Sequence, residues 1–570
     1  MGLINLLPAV LPEDFSILFE IGIMIIMAGL LAFIFKMLKQ PRIPAYIIAG
    51  IILGPLSLGL IQNSGVILAL SEIGVAFLLF FAGLEIDFKN LRRVGKITLT
   101  AGLIQMGMMA IITILLMFFW KFNNLEIIHI ILVVAFSSTM VVIKILSDKE
   151  ELNTLHGRII VGILLMQDIA AIIALTILTT NLNTGAVLIA LGKAVLFVIF
   201  GIVLAKISGP IFKISAKSSE LILIISLAFL FLFTISAYSF GLSLVIGAFF
   251  AGVALANSPF KVDIKGRIHP LRDFFGAILF VSLGMQLVWI PKEYLGLFFM
   301  LMVLIIIIKP IVLILSVRFL GYTNRTAFLT GNSLGQSSEF ALILLTQGLM
   351  LSQITKELFS VLVFVAVLSM SLTVYFMQYE SKIYKIFLFP ARLFEKVPAR
   401  KEELNYGVVK NKKVIIFGCH RTGTLILKKF ASIKDEILVI DFNPDIIRSL
   451  INKKVPCLYG DFANPEIIEK IKFMSPEVII STIPDHEDNL NLVEKTRRIS
   501  RKTIIIVMAE HIHEALELYK KGADYVILPK IIGGIKVNEL MEQIKKDRKG
   551  IKKRELDFLN DIHYFLYKEK

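Results

Sequence analysis

The chain has 570 residues, of which 56% are hydrophobic and 18% are charged, with a formal net charge of +16 and a mean hydropathy of +0.80. A soluble protein of this length cannot hide so much apolar surface, since much of a folded chain still meets water. The composition therefore excludes an ordinary soluble enzyme, and two cysteines exclude a disulfide-rich secreted scaffold. It is typical of a polytopic membrane protein.

Up to about residue 379, apolar segments long enough to cross a hydrocarbon core of about 30 Å recur thirteen times. The predicted spans are 15–37, 44–60, 66–86, 97–120, 127–146, 158–180, 185–205, 220–237, 239–256, 272–290, 295–317, 326–348 and 356–378. The sequence leaves open whether residues 220–256 form one long helix or two.

Lys and Arg are concentrated in alternate connections between these spans, and the intervening connections carry few. Because basic loops stay in the cytoplasm, this pattern predicts an N-terminus outside and a C-terminal region inside. The first 15 residues lack a basic n-region, so we expect no cleavable signal peptide. These features predict a multi-pass protein of the cell (plasma or inner) membrane.

Three ionisable residues, Asp168, Lys309 and Glu339, fall inside predicted spans, where a charge is costly and needs a partner or a function. Polar residues also interrupt two spans, at 135–139 and at 331–338. Unwound backbone at membrane depth is tolerated only where it lines a cavity or packs on protein. Two matched interruptions seven helices apart therefore predict inverted repeats, with an ion site where two broken helices cross.

Asp168 is the candidate ion-binding residue, because a carboxylate away from bulk water can hold either a proton or a dehydrated monovalent cation. Gln167 offers a neutral carbonyl oxygen beside it, and Lys309 is the candidate counter-ion of Asp168 when no cation is bound. Further candidate ligands are the hydroxyls of Ser137, Ser138 and Thr139.

Each of these residues also has a structural interpretation. Asp168 and Lys309 can be partners in a purely structural pair, and hydroxyls in membrane helices often bond to the backbone. Glu339 is expected to cap or pair at the second interruption. The small residues Gly50, Gly54 and Gly83 predict close helix packing.

After a linker at 380–411 with a juxtamembrane amphipathic piece, short apolar runs alternate with amphipathic stretches. This alternation predicts a doubly wound, Rossmann-like α/β domain over 412–535, followed by a basic helical tail at 536–570. The first run leads into a glycine turn that suits a phosphate, and the second ends in an acid that suits ribose hydroxyls. The candidate nucleotide-binding residues are Gly418, His420, Arg421, Thr422, Gly423, Asp441, Asp461 and Ser481.

His420 replaces the second glycine of the GxGxxG pattern, which crowds the position where a pyrophosphate approaches. This favours AMP or another mononucleotide over NAD or NADH, and Asp441 argues against NADP. Alternatively, the fold serves only for dimerisation and its ligand site is degenerate. The chain has neither a GxxxxGK[ST] loop nor a hydride-transfer constellation, so we expect no enzyme activity and no nucleic-acid binding.

Taken together, these motifs resemble the monovalent cation:proton antiporter-2 family. The segments that carry the resemblance are 44–55, 77–85, Gln167-Asp168, the two polar interruptions and Lys309. A Gln-Asp pair, where sodium-selective relatives carry Asp-Asp or Asn-Asp, resembles the Kef-type branch, and the C-terminal domain resembles its TrkA-N (RCK) domain. The resemblance implies a sodium/proton-antiporter-like fold with about 13 helices, exchange of K+ or Na+ for H+, a homodimer through both domains and an ancillary regulatory subunit.

Glutathione-gated members of that branch carry an acidic loop after the ninth helix. The corresponding connection here, 257–273, is basic, so glutathione control is not expected. The rival functions are a ligand-gated potassium channel and a sensor that does not transport. Against a channel, the chain has no TVGYG filter, and a channel needs no titratable carboxylate at a helix crossing.

Overall fold

The structure is a computed structural model in which two compact units are recognised, residues 1–152 with 156–398 and residues 153–155 with 399–570. It describes residues 13–61, 64–85, 95–149, 151–178, 209–215, 218–240, 243–256, 258–380, 382–384, 405–407, 412–419, 421–429, 431–460 and 474–546, with isolated positions at 192–204 and at 386. The first unit is helical and the second is α/β.

The helices of the first unit mostly overlap the predicted spans, whereas Gly209–Ser215 lies between two of them. They are α1 (Glu13–Met37), α2 (Arg42–Leu53), α3 (Ser64–Glu85), α4 (Gly95–Met117), α5 (Asn124–Ala135), α6 (Thr139–Asp148), α7 (Leu155–Leu178), α8 (Gly209–Ser215), α9 (Ser219–Ser239), α10 (Leu244–Ala256), α11 (Lys261–Met285), α12 (Leu295–Val303), α13 (Lys309–Phe319), α14 (Asn324–Ser333), α15 (Glu339–Met350) and α16 (Lys356–Gln378). Within the described ranges, eight helices or pairs of helices are long and apolar enough to cross a membrane. The multi-pass helical fold is confirmed, and the count of thirteen stays a prediction because most of span 185–205 lies outside those ranges.

The question left open at residues 220–256 is answered in favour of two helices. Helix α9 ends at Ser239 and α10 begins at Leu244. The second predicted span is shorter than expected, because α2 ends at Leu53, where the N–H of Gly54 bonds to Gly50 O at 2.8 Å.

The prediction of a connection at 257–273 is wrong for most of its length. Helix α11 begins at Lys261, carries Asp263 in its first turn and continues to Met285 with Pro270 in its interior. An acid in the first turn favours a helix N-terminus, and the segment remains basic in composition. The charged residues from Lys261 onwards therefore lie on a helix. One of them, Arg272, packs its guanidinium 4.1 Å from the ring centre of Phe81.

The predicted close packing at small residues is confirmed. A Cβ on Gly50 would lie 2.0 Å from Val281 O, and one on Gly284 would lie 2.1 Å from Ile47 O, so α2 and α11 touch backbone to backbone. Gly83 and Gly252 play the same part between α3 and α10. Such contacts are typical of membrane helices, where association depends on close van der Waals packing.

The two predicted helix interruptions are confirmed. The first break separates α5, which ends at Ala135, from α6, which begins at Thr139, and the second separates α14 from α15 at residues 334–338. The serines before each restart, Ser138 and Ser338, act as N-caps, accepting bonds from Val141 N and Phe340 N. Each interrupted span is therefore two half-helices with their ends at membrane depth.

The second unit contains the predicted doubly wound sheet. Its strands are β1 (Asn405–Tyr406), β2 (Val414–Phe417), β3 (Ile437–Asp441), β4 (Cys457–Tyr459), β5 (Val478–Ser481), β6 (Ile504–Met508) and β7 (Tyr525–Ile527), in the order β1-β4-β3-β2-β5-β6-β7. All described pairs are parallel except β1 with β4. The described helices are α17 (Arg421–Lys429), α18 (Pro444–Asn452), α19 (His486–Ile499), α20 (Ile512–Lys521) and α21 (Pro529–Lys546). Strand order reverses between β2 and β5, which is where such sheets bind ligands.

Candidate functional site

The two breaks lie against each other. Ser137 Oγ donates to Leu334 O at 3.1 Å, and Gln336 Nε2 approaches Ser138 O at 3.4 Å. Ser337 Oγ donates to Val133 O at 2.8 Å. Freed backbone groups of each broken helix are thus paired by polar side chains of the other, which is how unwound backbone is tolerated inside a membrane.

Asp168 lies on α7 beside the first break. The hydroxyl of Thr139, the first residue of α6, is 3.1 Å from Asp168 Oδ1 and 2.9 Å from Oδ2. Asp168 is partly exposed, whereas Gln167 and the hydroxyls of the break are buried. The predicted carboxylate and one predicted hydroxyl ligand therefore meet beside the first break.

Gln167 is held by a network that includes a residue missed by sequence reasoning. Its Oε1 accepts from Ser137 N at 3.0 Å, and its Nε2 donates to Gln105 Oε1 at 2.7 Å and to Ala135 O at 3.3 Å. Gln105 of α4 also donates to Ala135 O at 2.9 Å. An uncharged amide in an apolar span gives little sequence signal. The one feature that could have identified Gln105 is its position in the middle of a predicted span.

Lys309 is fully buried and reaches one freed carbonyl in each of the two breaks. Its Nζ donates to Phe136 O at 2.7 Å and to Gln336 O at 2.6 Å. A π-helical turn, Leu304–Ile308, precedes it, and Pro310 follows it with no N–H to donate. Lys309 thus pairs a freed carbonyl in each of the two breaks, and its direct pairing with Asp168 stays a prediction.

Glu339 lies at the N-terminal ends of half-helices, where backbone N–H groups are free. It is the first residue of α15, and its Oε1 accepts from Met140 N, in the first turn of α6, at 3.2 Å. A carboxylate favours the positive ends of helices, as an ammonium favours the carbonyl ends. Glu339 and Lys309 thus place an acid at the start of two half-helices and a base at freed carbonyls of the crossing.

The structure brings all the predicted ion-site residues to this crossing, but it gives them different contacts. Thr139 contacts the carboxylate, whereas Ser137 bonds across to α14's end and Ser138 caps α6. Among the described residues, no group of three or more His, Cys, Asp or Glu could hold a metal ion. The oxygen atoms that meet at Asp168 in the described site are its own carboxylate oxygens and the hydroxyl of Thr139.

The glycine turn of the second unit lies at the reversal of strand order. Gly418 has a φ of +77°, which favours glycine, and a Cβ on Gly423 would lie 2.0 Å from Gly418 O. Thr482, just after β5, donates to Gly418 O at 2.9 Å. Helix α17 starts at Arg421, so the backbone N–H groups of its first turn, which have no partner within the helix, lie at this turn.

Asp441 ends β3 and holds this turn in place. Its Oδ2 accepts from Cys419 N and its Oδ1 from Asn443 N, both at 2.7 Å. Ser481 is buried at the end of β5, and Thr422 is half-buried on α17. His420, Asp461 and the side chain of Arg421 lie outside what the structure describes.

Half-helices that stop and restart at membrane depth, crossing beside an acid and a base, are the architecture of secondary transporters. The chain belongs to the sodium/hydrogen exchanger family, whose transmembrane model matches residues 22–378. Residues 414–529 match the TrkA-N domain, a domain type that binds regulatory nucleotides. The resemblance drawn from the sequence is thereby confirmed.

Three known proteins are similar to parts of the chain. K(+) efflux antiporter 4 of Arabidopsis thaliana is 30% identical over 380 residues, 64% of this chain and 64% of that protein, which is less than two thirds of its length. The glutathione-regulated potassium-efflux system protein KefC of Escherichia coli (strain 536) is 27% identical over 509 residues, 87% of this chain and 80% of KefC. The structure of the sodium proton antiporter MjNhaP1 of Methanocaldococcus jannaschii aligns with 65% of this chain and over 98% of the MjNhaP1 chain, at 17% identity and a TM-score of 0.47.

Proposed function

We propose that the chain is a secondary transporter that exchanges a monovalent cation, K+ in preference to Na+, for H+ across the membrane. The observation that supports this most is the contact of Thr139 with Asp168 at the crossing of two broken helices. A single carboxylate there takes either a proton or a cation, and that competition couples the two fluxes. The names of the Arabidopsis and Escherichia coli relatives agree with potassium as the cation.

The preference for K+ follows from the chemistry beside the carboxylate. Gln167 is neutral, so the site has one negative charge where an Asp-Asp site has two. A weaker field favours the cation that loses its hydration water more easily, which is K+. The oxygens proposed as ligands are those of Asp168 and Thr139, with Gln167, Ser137 and Ser138 as neighbours that hold them in place.

Alternating access requires the site to face each side of the membrane in turn. We assign this movement to the helices that carry the crossing, with Lys309 keeping the two freed carbonyls together when Asp168 has lost its cation. The ammonium has the charge needed to act as counter-ion of Asp168 during that step.

The TrkA-N domain is proposed to bias this movement by binding AMP or another adenine nucleotide at the turn Gly418–Gly423. The ribose is assigned to Asp441, with Asp461 and Ser481 near the adenine or ribose. A nucleotide regulates only if it binds the two conformations unequally. We propose a homodimer that can also bind an ancillary subunit, with the N-terminus outside and the TrkA-N domain in the cytoplasm. The proposed domains are the membrane exchanger domain at 1–379, the linker at 380–411, the TrkA-N domain at 412–535 and the basic tail at 536–570.

Reconstitution into proteoliposomes tests the function. A K+ gradient is imposed, internal pH is followed, and Na+ is run in parallel, with Asp168→Asn as the inactive control. Exchange predicts a cation-driven pH change that the variant abolishes. K+ flux that is uncoupled from pH and survives Asp168→Asn would overturn the proposal in favour of a channel, and the absence of any flux would favour a sensor.

A further inference from the structure

Gln105 is fully buried in α4 and belongs to no part of the site predicted from the sequence. Its two amide atoms have different partners: Nε2 donates to Ala135 O at 2.9 Å, and Oε1 accepts from Gln167 Nε2 at 2.7 Å. Ala135 is the last residue of α5, at the first break. Gln105 therefore joins the break to the residue that precedes Asp168.

These partners leave each amide one orientation. A backbone carbonyl only accepts and a backbone N–H only donates, so Ala135 O requires a nitrogen and Ser137 N requires an oxygen. Gln167 must then turn Oε1 to Ser137 and Nε2 to Gln105. If the Gln105 amide were flipped, its NH2 group would face the NH2 group of Gln167, and its oxygen would face the carbonyl oxygen of Ala135.

Loss of the Gln105 amide would remove one of the two short bonds that orient Gln167 and would leave the bond from Ser137 N. Gln167 Nε2 would keep only Ala135 O, at 3.3 Å, and the break would lose its stronger donor. A buried donor with a weakened bond favours rotation of the side chain towards a better partner. Because Asp168 follows Gln167 and is held by Thr139 after the break, either displacement moves oxygens at the ion site.

We propose that Gln105 is a positioning residue that sets the cation affinity of the site at Asp168 by fixing the amide of Gln167. The inference rests on the proposed exchange function. It also explains why a neutral residue suits position 167: a carboxylate there would place an anionic oxygen against Gln105 Oε1 and Ala135 O. Gln105 and Gln167 thus form a matched pair that selects a site with one negative charge.

The test uses the full chain in proteoliposomes, with the initial rate of pH change measured over a series of K+ concentrations. Gln105→Met keeps the length of the side chain without its hydrogen bonds, and Gln105→Asn is too short to reach both partners. Gln105→Glu, while protonated, restores a donor for Ala135 O and an acceptor for Gln167. Thr113→Val is the matched control, because Thr113 is also buried in α4 and its hydroxyl has no partner among the described residues.

We expect Gln105→Met and Gln105→Asn to raise the KM for K+ about tenfold with a smaller change in maximal rate. Gln105→Glu should match the KM of the wild type when both are measured at the same acidic pH, and Thr113→Val should match the wild type throughout. A wild-type KM in either the Met or the Asn variant, with only a lower melting temperature, would overturn the inference, because that is the result of a packing role. So would a Glu variant whose KM stays above that of the wild type at the same acidic pH. A wild-type protein without K+-coupled pH change would instead refute the exchange function itself, and this inference with it.

Discussion

The hydroxyl of Thr139 lies within hydrogen-bonding distance of both carboxylate oxygens of Asp168, at 3.1 Å and 2.9 Å. Thr139 begins α6 and Asp168 lies in α7, so this contact ties the restart of the broken helix to the acid next to it. A shift of either helix therefore changes the surroundings of the carboxylate.

Thr139→Val removes this bond with little change in volume. We expect the KM for the cation to rise about tenfold, or about 1.4 kcal/mol, because the site loses one of the oxygens proposed as cation ligands. Cation-driven pH change in proteoliposomes measures it. Thr139→Ser keeps a hydroxyl and should stay within about threefold of the wild type; a Val variant equal to the Ser variant would contradict the role of the hydroxyl.

Lys309→Met leaves the carbonyls of Phe136 and Gln336 without their buried donor. We expect a loss of about 2–5 kcal/mol in the free energy of unfolding, since each unsatisfied buried group costs about 1–3 kcal/mol. The melting temperature in detergent reports it. Lys144→Met is the control, because Lys144 is exposed and its loss should change little; equal melting temperatures for the two variants would contradict the prediction.

Gly50→Ala places a methyl group 2.0 Å from Val281 O, at the contact between α2 and α11. Two backbones cannot separate without loosening the helix pair, so we expect destabilisation of about 3 kcal/mol or more. Thermal unfolding in detergent measures the effect. Gly29→Ala, in α1, meets nothing within 4 Å and should be neutral. Similar melting curves for both variants would show that the helices do not touch here.

Gly423→Ala should abolish nucleotide binding at the glycine turn. Its Cβ would lie 2.0 Å from Gly418 O and would force the turn away from the start of α17. Calorimetry with AMP, and with NADH in parallel, measures the loss. Gly533→Ala, in α21, has open space around it and serves as the control. Undiminished binding by the Gly423 variant would place the nucleotide elsewhere.

Cys419 and Cys457 should resist alkylation in the folded protein. Burial raises the pKa of the Cys419 thiol to about 12 and that of Cys457 to about 11, from an ordinary value of 9.0. Thiolate is the reactive form, so at mildly alkaline pH we expect labelling by iodoacetamide only after denaturation, read by mass spectrometry. Rapid labelling of either residue in the native protein would contradict its burial.

The raised pKa values of the two thiols also predict how the free energy of unfolding of the protein changes with pH. The folded thiols keep their protons in a range where the unfolded thiols lose theirs, so unfolding releases protons above about pH 9. The contribution of each thiol to the free energy of unfolding is therefore full below that pH and falls as the pH rises towards the folded value, by up to about 1.4 kcal/mol per pH unit. Cys419→Ala should flatten this part of the profile, and an unchanged slope would rule out the thiol as its source.

Much of the fold could be predicted because its signals are local. Apolar runs of sufficient length give the spans, polar residues inside them mark the breaks, and the alternation after Lys412 gives the sheet. The error at 257–273 has the same origin. A charged segment is typical of a loop, yet it continues a helix here, because hydropathy reports the medium around a residue and not its backbone conformation.

Patterns along the chain are enough to predict that it crosses a membrane many times, that two helices break there, and that Gln167 and Asp168 lie beside a break. The partners of the buried polar groups depend on the packing of the helices: Lys309 reaches Phe136 across 173 positions, and Gln105 reaches Gln167 across 62. The physical reason is that a buried polar group must be paired, while the partner that satisfies it depends on which helices pack together. The pattern along the chain predicts that a partner exists, and the packing chooses it.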